Sequence, residues 1–292
     1  MYKALYRTWR PMSFDDVISQ PHITETLQNQ VRTGKTAHAY LFTGSRGTGK
    51  TTCARILAKA VNCPHAVNGN PCLECDICKD ADRGILSDVI EIDAASNNSV
   101  EDIRDLREGT VYRPERCAYK IYINDEVYML SGSAWGALLK VMEEPPAYVV
   151  ILLLTTNADS FLPTINSRCI TLDLKAVPNE KIKSYLMEHC QIPDYQAEVC
   201  TAFAQGNVGK AIKLASSESF NEIKNSALQL IRRLKEIDLY EMMEAVKQIS
   251  EYKLEINDYF DIMMIWYRDV LLYKATADVN YLVFRDEIYD IK

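Results

Sequence analysis

Two groups of residues in this sequence have the types and spacing that do chemistry. The run Gly44-Ser45-Arg46-Gly47-Thr48-Gly49-Lys50-Thr51 fits the pattern GxxxxGK[ST] at every fixed position. Glycines let a backbone wrap a chain of phosphates with its N–H groups facing inward, and a helix that starts there adds the positive end of its dipole. Lys50 would reach the β- and γ-phosphates, the Thr51 hydroxyl would ligate Mg²⁺, and Thr52 extends the same nucleotide-binding run. Asp125-Glu126 follows the apolar run Lys120-Ile121-Tyr122-Ile123-Asn124 and supplies the acidic element such a loop needs. Asp125 would orient Mg²⁺ through its waters, and Glu126 would activate the attacking water. A glycine-rich turn and an exposed acidic turn are the bland alternatives, and finding both motifs in the required order argues against them.

The second group is Cys63, Cys72, Cys75 and Cys78, spaced C-x8-C-x2-C-x2-C, while Cys53, Cys117, Cys169, Cys190 and Cys200 are scattered. Four thiolates surround one tetrahedral Zn²⁺ and leave no position open for catalysis, so this reads as a structural clip folding residues 62–79. Four reduced thiols in a cysteine-rich loop are the other reading. Ser167-Arg168-Cys169 offers one more candidate, although an arginine there taken alone is a salt-bridge partner.

The elements that must position these groups are legible as hydrophobic pattern. Apolar segments at 38–43, 88–93, 120–124, 148–154 and 170–174 alternate with helix-like segments, which predicts an α/β fold with a five-stranded parallel sheet covered on both faces. One strand leads into the glycine run and the helix 51–61 leads out. Ser99, with Asp102 three residues on, is expected to cap a helix whose buried side is Val100, Ile103 and Leu106. Val177-Pro178-Asn179 interrupts the alternation, and from Glu180 onward the periodicity is helical, with a break at Gly206-Asn207-Val208-Gly209. Tyr259, Phe260, Met263, Met264, Trp266 and Tyr267 read as core or subunit interface rather than a cofactor box.

With 292 residues, 48% hydrophobic and 25% charged, the chain has room for two or three domains, and disordered or fibrous classes are excluded. The N-terminal run lacks the apolar core of a signal peptide. The stretch nearest to a membrane span, 259–273, contains Asp261, Arg268 and Asp269, so a cytoplasmic protein is expected. A net charge of −7 is the opposite of a dedicated nucleic-acid binder, so any DNA contact must be local or shared with other subunits.

These residues carry a family resemblance. Arg10-Pro11 with Phe14-Asp15-Asp16-Val17, AYLFTGSRGTGKTTCARILAKAVNC, DVIEIDAASNNSVEDIRDLRE, DEVYMLS, ALLKVMEEPP and TINSRC cover most of residues 4–178. The chain resembles the AAA+ ATPases of the bacterial DNA polymerase III clamp loader, gamma/tau subunit type. The resemblance implies an AAA+ ATP-binding domain at 1–178 with a zinc module at 62–79, a helical lid at 179–218, and a short all-helical, collar-like domain at 219–292, truncated or divergent against the family's longer collar. It also implies a ring-like pentamer of loader subunits that binds ATP between neighbours and places a sliding clamp on primer-template DNA. In that scheme Arg168 is an arginine finger for the adjacent subunit, and Thr155 is a sensor linking Glu126 to the γ-phosphate. Val17 and Ile18 line the adenine pocket beside Arg7 and Arg10, and Lys140 and Arg104 touch DNA phosphates.

The chain departs from the family pattern at three points. Tyr128 stands where histidine is usual, and Asn124 where an aliphatic residue is. Gly206-Asn207-Val208-Gly209-Lys210-Ala211 puts Gly209 where the GSxRDA motif has its γ-phosphate-sensing arginine. That spelling and Trp266-Tyr267-Arg268-Asp269 look like the delta-prime subunit, so the alternative is a scaffold that binds ATP without turning it over and lends Arg168 to a neighbour. A AAA+ helicase motor or remodeller shares the core but does not account for the cysteine module.

Overall fold

A computed structural model of the chain describes residues 10–96, 100–156, 163–234, 236–252 and 255–291. It falls into two compact units, one spanning Trp9–Val177 and one built mainly from Pro178–Lys292.

The first unit is the expected parallel sheet. Its strands are β1 (Ala39–Thr43), β2 (Val89–Asp93), β3 (Lys120–Asp125), β4 (Val149–Leu154) and β5 (Ile170–Asp173), in the order β2-β3-β4-β1-β5 with parallel pairing throughout. Among the described residues six helices accompany them: α1 (Pro21–Thr33), α2 (Lys50–Asn62), α3 (Asp76–Arg83), α4 (Val100–Val111), α5 (Gly132–Glu143) and the single turn α6 (Pro163–Asn166). Side chains of a strand alternate between faces, and a parallel sheet buries both. Tyr40, Phe42, Ile121, Ile123, Val150, Leu152 and Leu154 therefore join one core with α1 and α2. Ala39, Leu41, Tyr122, Val149, Ile151 and Leu153 join a second core with α4 and α5. Local chemistry sets the helix ends: Pro21 opens α1 and Gly34, at φ 66°, closes it, while the Ser131 hydroxyl accepts the Ala134 N–H at the start of α5. Ser99, the expected cap of α4, lies outside the described residues.

Asp88 was expected inside β2, but it precedes the strand and is 1% exposed. Its carboxylate accepts the N–H groups of Glu115 (2.8 Å), Arg116 (2.8 Å) and Cys117 (3.0 Å), and its carbonyl accepts Ile121 N–H (2.8 Å). Asp88 thus pins the loop that feeds β3, the strand that ends in the acidic pair.

The second unit is helical: α7 (Asn179–Cys190), α8 (Asp194–Ala204), α9 (Val208–Ala215), α10 (Glu218–Arg233), α11 (Leu239–Glu251), α12 (Ile256–Thr276) and a last turn α13 (Ile288–Ile291). Asp238 and Glu241 form a reciprocal capping box at the start of α11. Its core holds Phe203 edge-on to Phe220 (5.4 Å) and Trp266 against Phe284 (5.8 Å). Asp269 is fully buried and accepts Val283 and Phe284 N–H at 2.8 and 2.9 Å. The aromatic segment divides: Tyr259 and Trp266 are core, whereas Phe260, Met264 and Tyr267 face outward.

Burial pushes the Asp88 carboxyl up, but the three N–H bonds outweigh it and hold its pKa below the usual carboxylate range. A depressed native pKa contributes stability above the unfolded value, near 4, that is lost as pH falls through the native one. Asp88→Ala, which strands buried N–H groups, is expected to cost about 3 kcal/mol at neutral pH. In urea unfolding the gap between wild type and variant should narrow as the pH is lowered toward about 3; a gap independent of pH would contradict the assignment.

Candidate functional site

The glycine run links the end of β1 to the start of α2. Gly44, Gly47 and Gly49 all have positive φ (135°, 85° and 102°). At Gly44 the requirement is also steric, since a Cβ there would lie 2.3 Å from the Leu174 carbonyl oxygen. Ser45 and Arg46 are exposed at the crest, while Thr48 is buried and donates its hydroxyl to Ser45 O (2.9 Å). Lys50 is buried beneath the loop and donates from Nζ to Gly44 O (2.8 Å) and Ser45 O (2.9 Å). Burial pulls its pKa down, and Glu126 and Asp125 oppose that. Thr52 is half-buried on the first turn of α2.

Sheet topology brings the acidic pair to the same place. The Thr51 hydroxyl donates to Asp125 Oδ2 at 2.8 Å, across 74 residues of sequence. A hydroxyl and a carboxylate oxygen side by side are the hard donors Mg²⁺ takes, and three glycines at positive φ leave the loop backbone without side chains to shield it from phosphate. The residues therefore fit a nucleotide with its magnesium. Glu126 holds a left-handed backbone (φ 51°), and its Oε2 is buried with no hydrogen-bond partner among the described residues. Its charge pushes the neighbouring Tyr128 phenol up. Thr155, just past β4, is fully buried and donates its N–H to Phe42 O (3.0 Å).

The other expected residues are distributed differently. Val17 and Ile18 are half-buried, with Val17 packed on the core that contains Phe14, Ala54, Leu57 and Leu174. Arg10 is half-buried; Arg7 and the side chain of Arg104 lie outside the described residues. Lys140 is exposed on α5. Arg168 donates to Thr164 O (2.8 Å) and to Glu143 Oε1 (3.1 Å), a partly exposed arrangement separate from the Lys50, Thr51 and Asp125 cluster. In the second unit Lys210 Nζ sits 3.2 Å from Asp261 and 3.7 Å from Asp258.

The four cysteines of the spaced motif converge, with all Sγ atoms within 4.8 Å of one another. Cys63 and Cys75 are 4.0 Å apart, against about 3.8 Å for two sulfurs on one tetrahedral zinc. Backbone N–H groups of Cys72, Cys75 and Cys78 point at the sulfurs of Cys63, Cys72 and Cys75 at 3.3, 3.4 and 3.4 Å. The N–H groups of Cys75 and then Glu74 bring the Cys72 thiol down to about 6, while burial raises those of Cys63 and Cys78. The donor set fits zinc. The module is also tied to the nucleotide-loop helix, which runs directly into Cys63: Lys59 of α2, nearly buried, pairs with Asp82 of α3 at 2.7 Å. No periodicity in the sequence points to that pair, nor to the contacts that Asn70 makes.

Comparison with known proteins agrees with this arrangement. A family profile described as "DNA polymerase III, delta subunit" matches residues 19–178. The DNA polymerase III subunit tau of Bacillus subtilis is 40% identical across 96% of this chain and 53% of that protein. The subunit gamma of Buchnera aphidicola from Schizaphis graminum is 34% identical across 100% of this chain and 86% of that protein. The chain thus spans about half the length of the Bacillus subtilis relative. Among solved structures, a gamma subunit-related protein of Thermotoga maritima aligns with TM-score 0.50 at 24% identity over 81% of this chain and 76% of that one. The RuvB Holliday junction branch migration motor of Thermotoga maritima aligns with TM-score 0.52 at 17% identity over 82% and 73%. These two share the fold.

The cysteine cluster makes a direct prediction. Freshly purified protein is expected to carry about one zinc per chain, and Cys75→Ser to lose it and lower the thermal midpoint. Elemental analysis together with thermal unfolding checks both; less than half a zinc in the wild type would refute the clip.

Proposed function

The chain belongs to the DNA polymerase III gamma/tau clamp-loader family, and from that membership we propose that it binds and hydrolyses ATP as one subunit of the loader that places the sliding clamp on primed DNA. One observation carries the reading: the Thr51 hydroxyl lies against the Asp125 carboxylate beside a buried Lys50. In this reading residues 1–178 are the ATP-binding domain with the cysteine module at 62–79, 179–218 are a lid, and 219–292 are a collar-like domain.

Each residue has a role that follows from its chemistry. Lys50 exchanges the loop carbonyls for the β- and γ-phosphate oxygens, which suits an ammonium already held at the loop. The loop N–H groups from Ser45 to Thr51 cradle the phosphate chain. Thr51 and Asp125 hold magnesium, which when bound neutralises charge on the phosphates. Glu126, whose buried oxygen lacks a partner, accepts a proton from the attacking water. Thr155 bridges that glutamate to the γ-phosphate, Val17 and Ile18 flank the base beside Arg7 and Arg10, and the four cysteines hold a structural zinc. Arg168 acts on the site of the next subunit in a pentameric ring, leaving Thr164 and Glu143 to do so. Lys140 and Arg104 contact DNA phosphates, a local arrangement compatible with the net charge of −7. Among the described residues no helix is long and apolar enough to cross a membrane, and a cytoplasmic location suits a replication protein.

A second reading rests on Gly209 and Lys210. Where the family has an arginine this chain has glycine, and the adjacent lysine is engaged by Asp258 and Asp261. That favours a scaffold subunit that binds ATP, does not turn it over, and donates Arg168. Turnover by the chain alone and in the reconstituted loader with clamp and primed DNA separates the two. The hydrolysing reading expects Lys50→Ala to abolish turnover and Glu126→Gln to lower it by about 100-fold or more. Unchanged complex activity in Glu126→Gln, with a loss in Arg168→Ala, would establish the scaffold instead.

A further inference from the structure

The cysteine module touches more than its own thiols. Its tip is the tight turn Val67-Asn68-Gly69-Asn70, closed by Val67 N–H to Asn70 O (3.0 Å) and Asn70 N–H to Val67 O (2.9 Å). Asn68 and Gly69 both have positive φ (52° and 83°), the Asn-Gly signature of a two-residue hairpin turn. The turn is pressed onto α1: a Cβ at Gly69 would lie 2.4 Å from the Gln28 carbonyl oxygen and 2.6 Å from its Cα.

At this junction Asn70 uses both ends of its amide on the segment ahead of α1. Its Oδ1 accepts the Phe14 N–H (3.0 Å) and its Nδ2 donates to Asp15 Oδ2 (2.8 Å). Gln28 completes the cluster, donating to Asp15 Oδ1 (2.7 Å) and Asn70 Oδ1 (3.3 Å). Both oxygens of Asp15 are thereby held by side chains from different parts of the chain. Phe14, 1% exposed, anchors the same segment in the core, and Val17 N–H returns to Phe14 O (3.2 Å). At its other end the segment is fixed by Gln20, whose amide exchanges hydrogen bonds with the Lys175 backbone (2.6 and 3.3 Å).

We propose that Asn70 is a positioning residue for base recognition: the tip of the cysteine module sets the Phe14–Ile18 segment and with it the pocket wall formed by Val17 and Ile18. This rests on the nucleotide reading above and assigns the module a task beyond its own fold. Base and phosphate contacts are separable here. The phosphate loop is seated independently by Gly44 against Leu174 and by Lys50 on the loop carbonyls, so a fault at Asn70 is expected to reach the base contacts and spare the phosphate contacts.

Calorimetric titration of the full chain with MgATP and with magnesium tripolyphosphate, which keeps the phosphate chain and lacks the base, tests this. Asn70→Ala should weaken MgATP binding about fivefold, the scale of one net hydrogen bond, and leave tripolyphosphate binding unchanged. Gly69→Ala, which drives the turn off Gln28, should act in the same direction. Equal losses for the two probes, as from general unfolding, would overturn the inference, and so would unchanged MgATP affinity in a folded Asn70→Ala chain. Wild-type chain that binds neither probe would refute the nucleotide reading itself and the inference with it.

Discussion

Parallel pairing of five strands is the constraint on which this molecule depends. Because β1, β3, β4 and β5 all run the same way, their carboxyl ends meet at one edge of the sheet. Thr43 passes there into the glycine run, and Asp125, Thr155 and Leu174 arrive at the same edge. Thr51 and Asp125 are 74 residues apart in sequence and 2.8 Å apart in space for this reason alone. Crevices outside the carboxyl ends of parallel strands are where such sheets bind ligands. The close approach of Gly44 to the Leu174 carbonyl shows how tightly the edge is closed, with β5 leaving no room for a side chain beneath the phosphate loop.

What could be read from sequence follows from how local each signal is. The phosphate loop and the four cysteines announce themselves because their spacing is itself the chemistry. The five strands stand out as apolar runs because both faces of the sheet are buried, and at β2 and β4 the predicted starts err at residues with a second duty. Asp88 looks like the first residue of β2, yet its carboxylate caps the loop at 115–117. Tyr148 looks like the first residue of β4, yet its hydroxyl donates to Thr110 and Val111 carbonyls at the end of α4. The junction of Asn70, Asp15 and Gln28 was not legible for the opposite reason: polar side chains in loops and on a helix surface carry no hydrophobic periodicity, and their partners lie up to 56 residues away. Arg168 stands out in the sequence only through the motif around it, and within the chain it is held by Thr164 and Glu143.

Two of the buried side chains that lack polar partners among the described residues lie together at the end of β3. The Asn124 amide is 1% exposed on β3, and neither its Oδ1 nor its Nδ2 has a partner among the described residues. An aliphatic side chain there would avoid a penalty of about 1–3 kcal/mol for each such group. Glu126, two residues on, has a left-handed backbone and a buried carboxylate oxygen with no partner among the described residues. Strain and unsatisfied groups at one strand end, beside the Thr51 and Asp125 pair, mark a place shaped for function rather than for stability alone.

The departure at Gly209 is a matter of charge and not of packing. A Cβ added at Gly209 would meet only Asn207 Oδ1, at an ordinary 3.4 Å, so close packing does not require glycine there. Glycine in a helix costs about 1 kcal/mol relative to alanine, and here no turn or close approach requires it. Lys210 does not restore the missing cation in kind. Its ammonium is a point charge engaged by two carboxylates of α12, and releasing it would leave Asp258 and Asp261 facing each other without their counter-ion. The groups proposed to hold phosphate and magnesium, by contrast, all come from the first unit: the loop N–H groups, Lys50, Thr51 and Asp125. On the proposed reading, then, phosphate and magnesium call on residues of the first unit, and the change at Gly209 bears on hydrolysis rather than on binding.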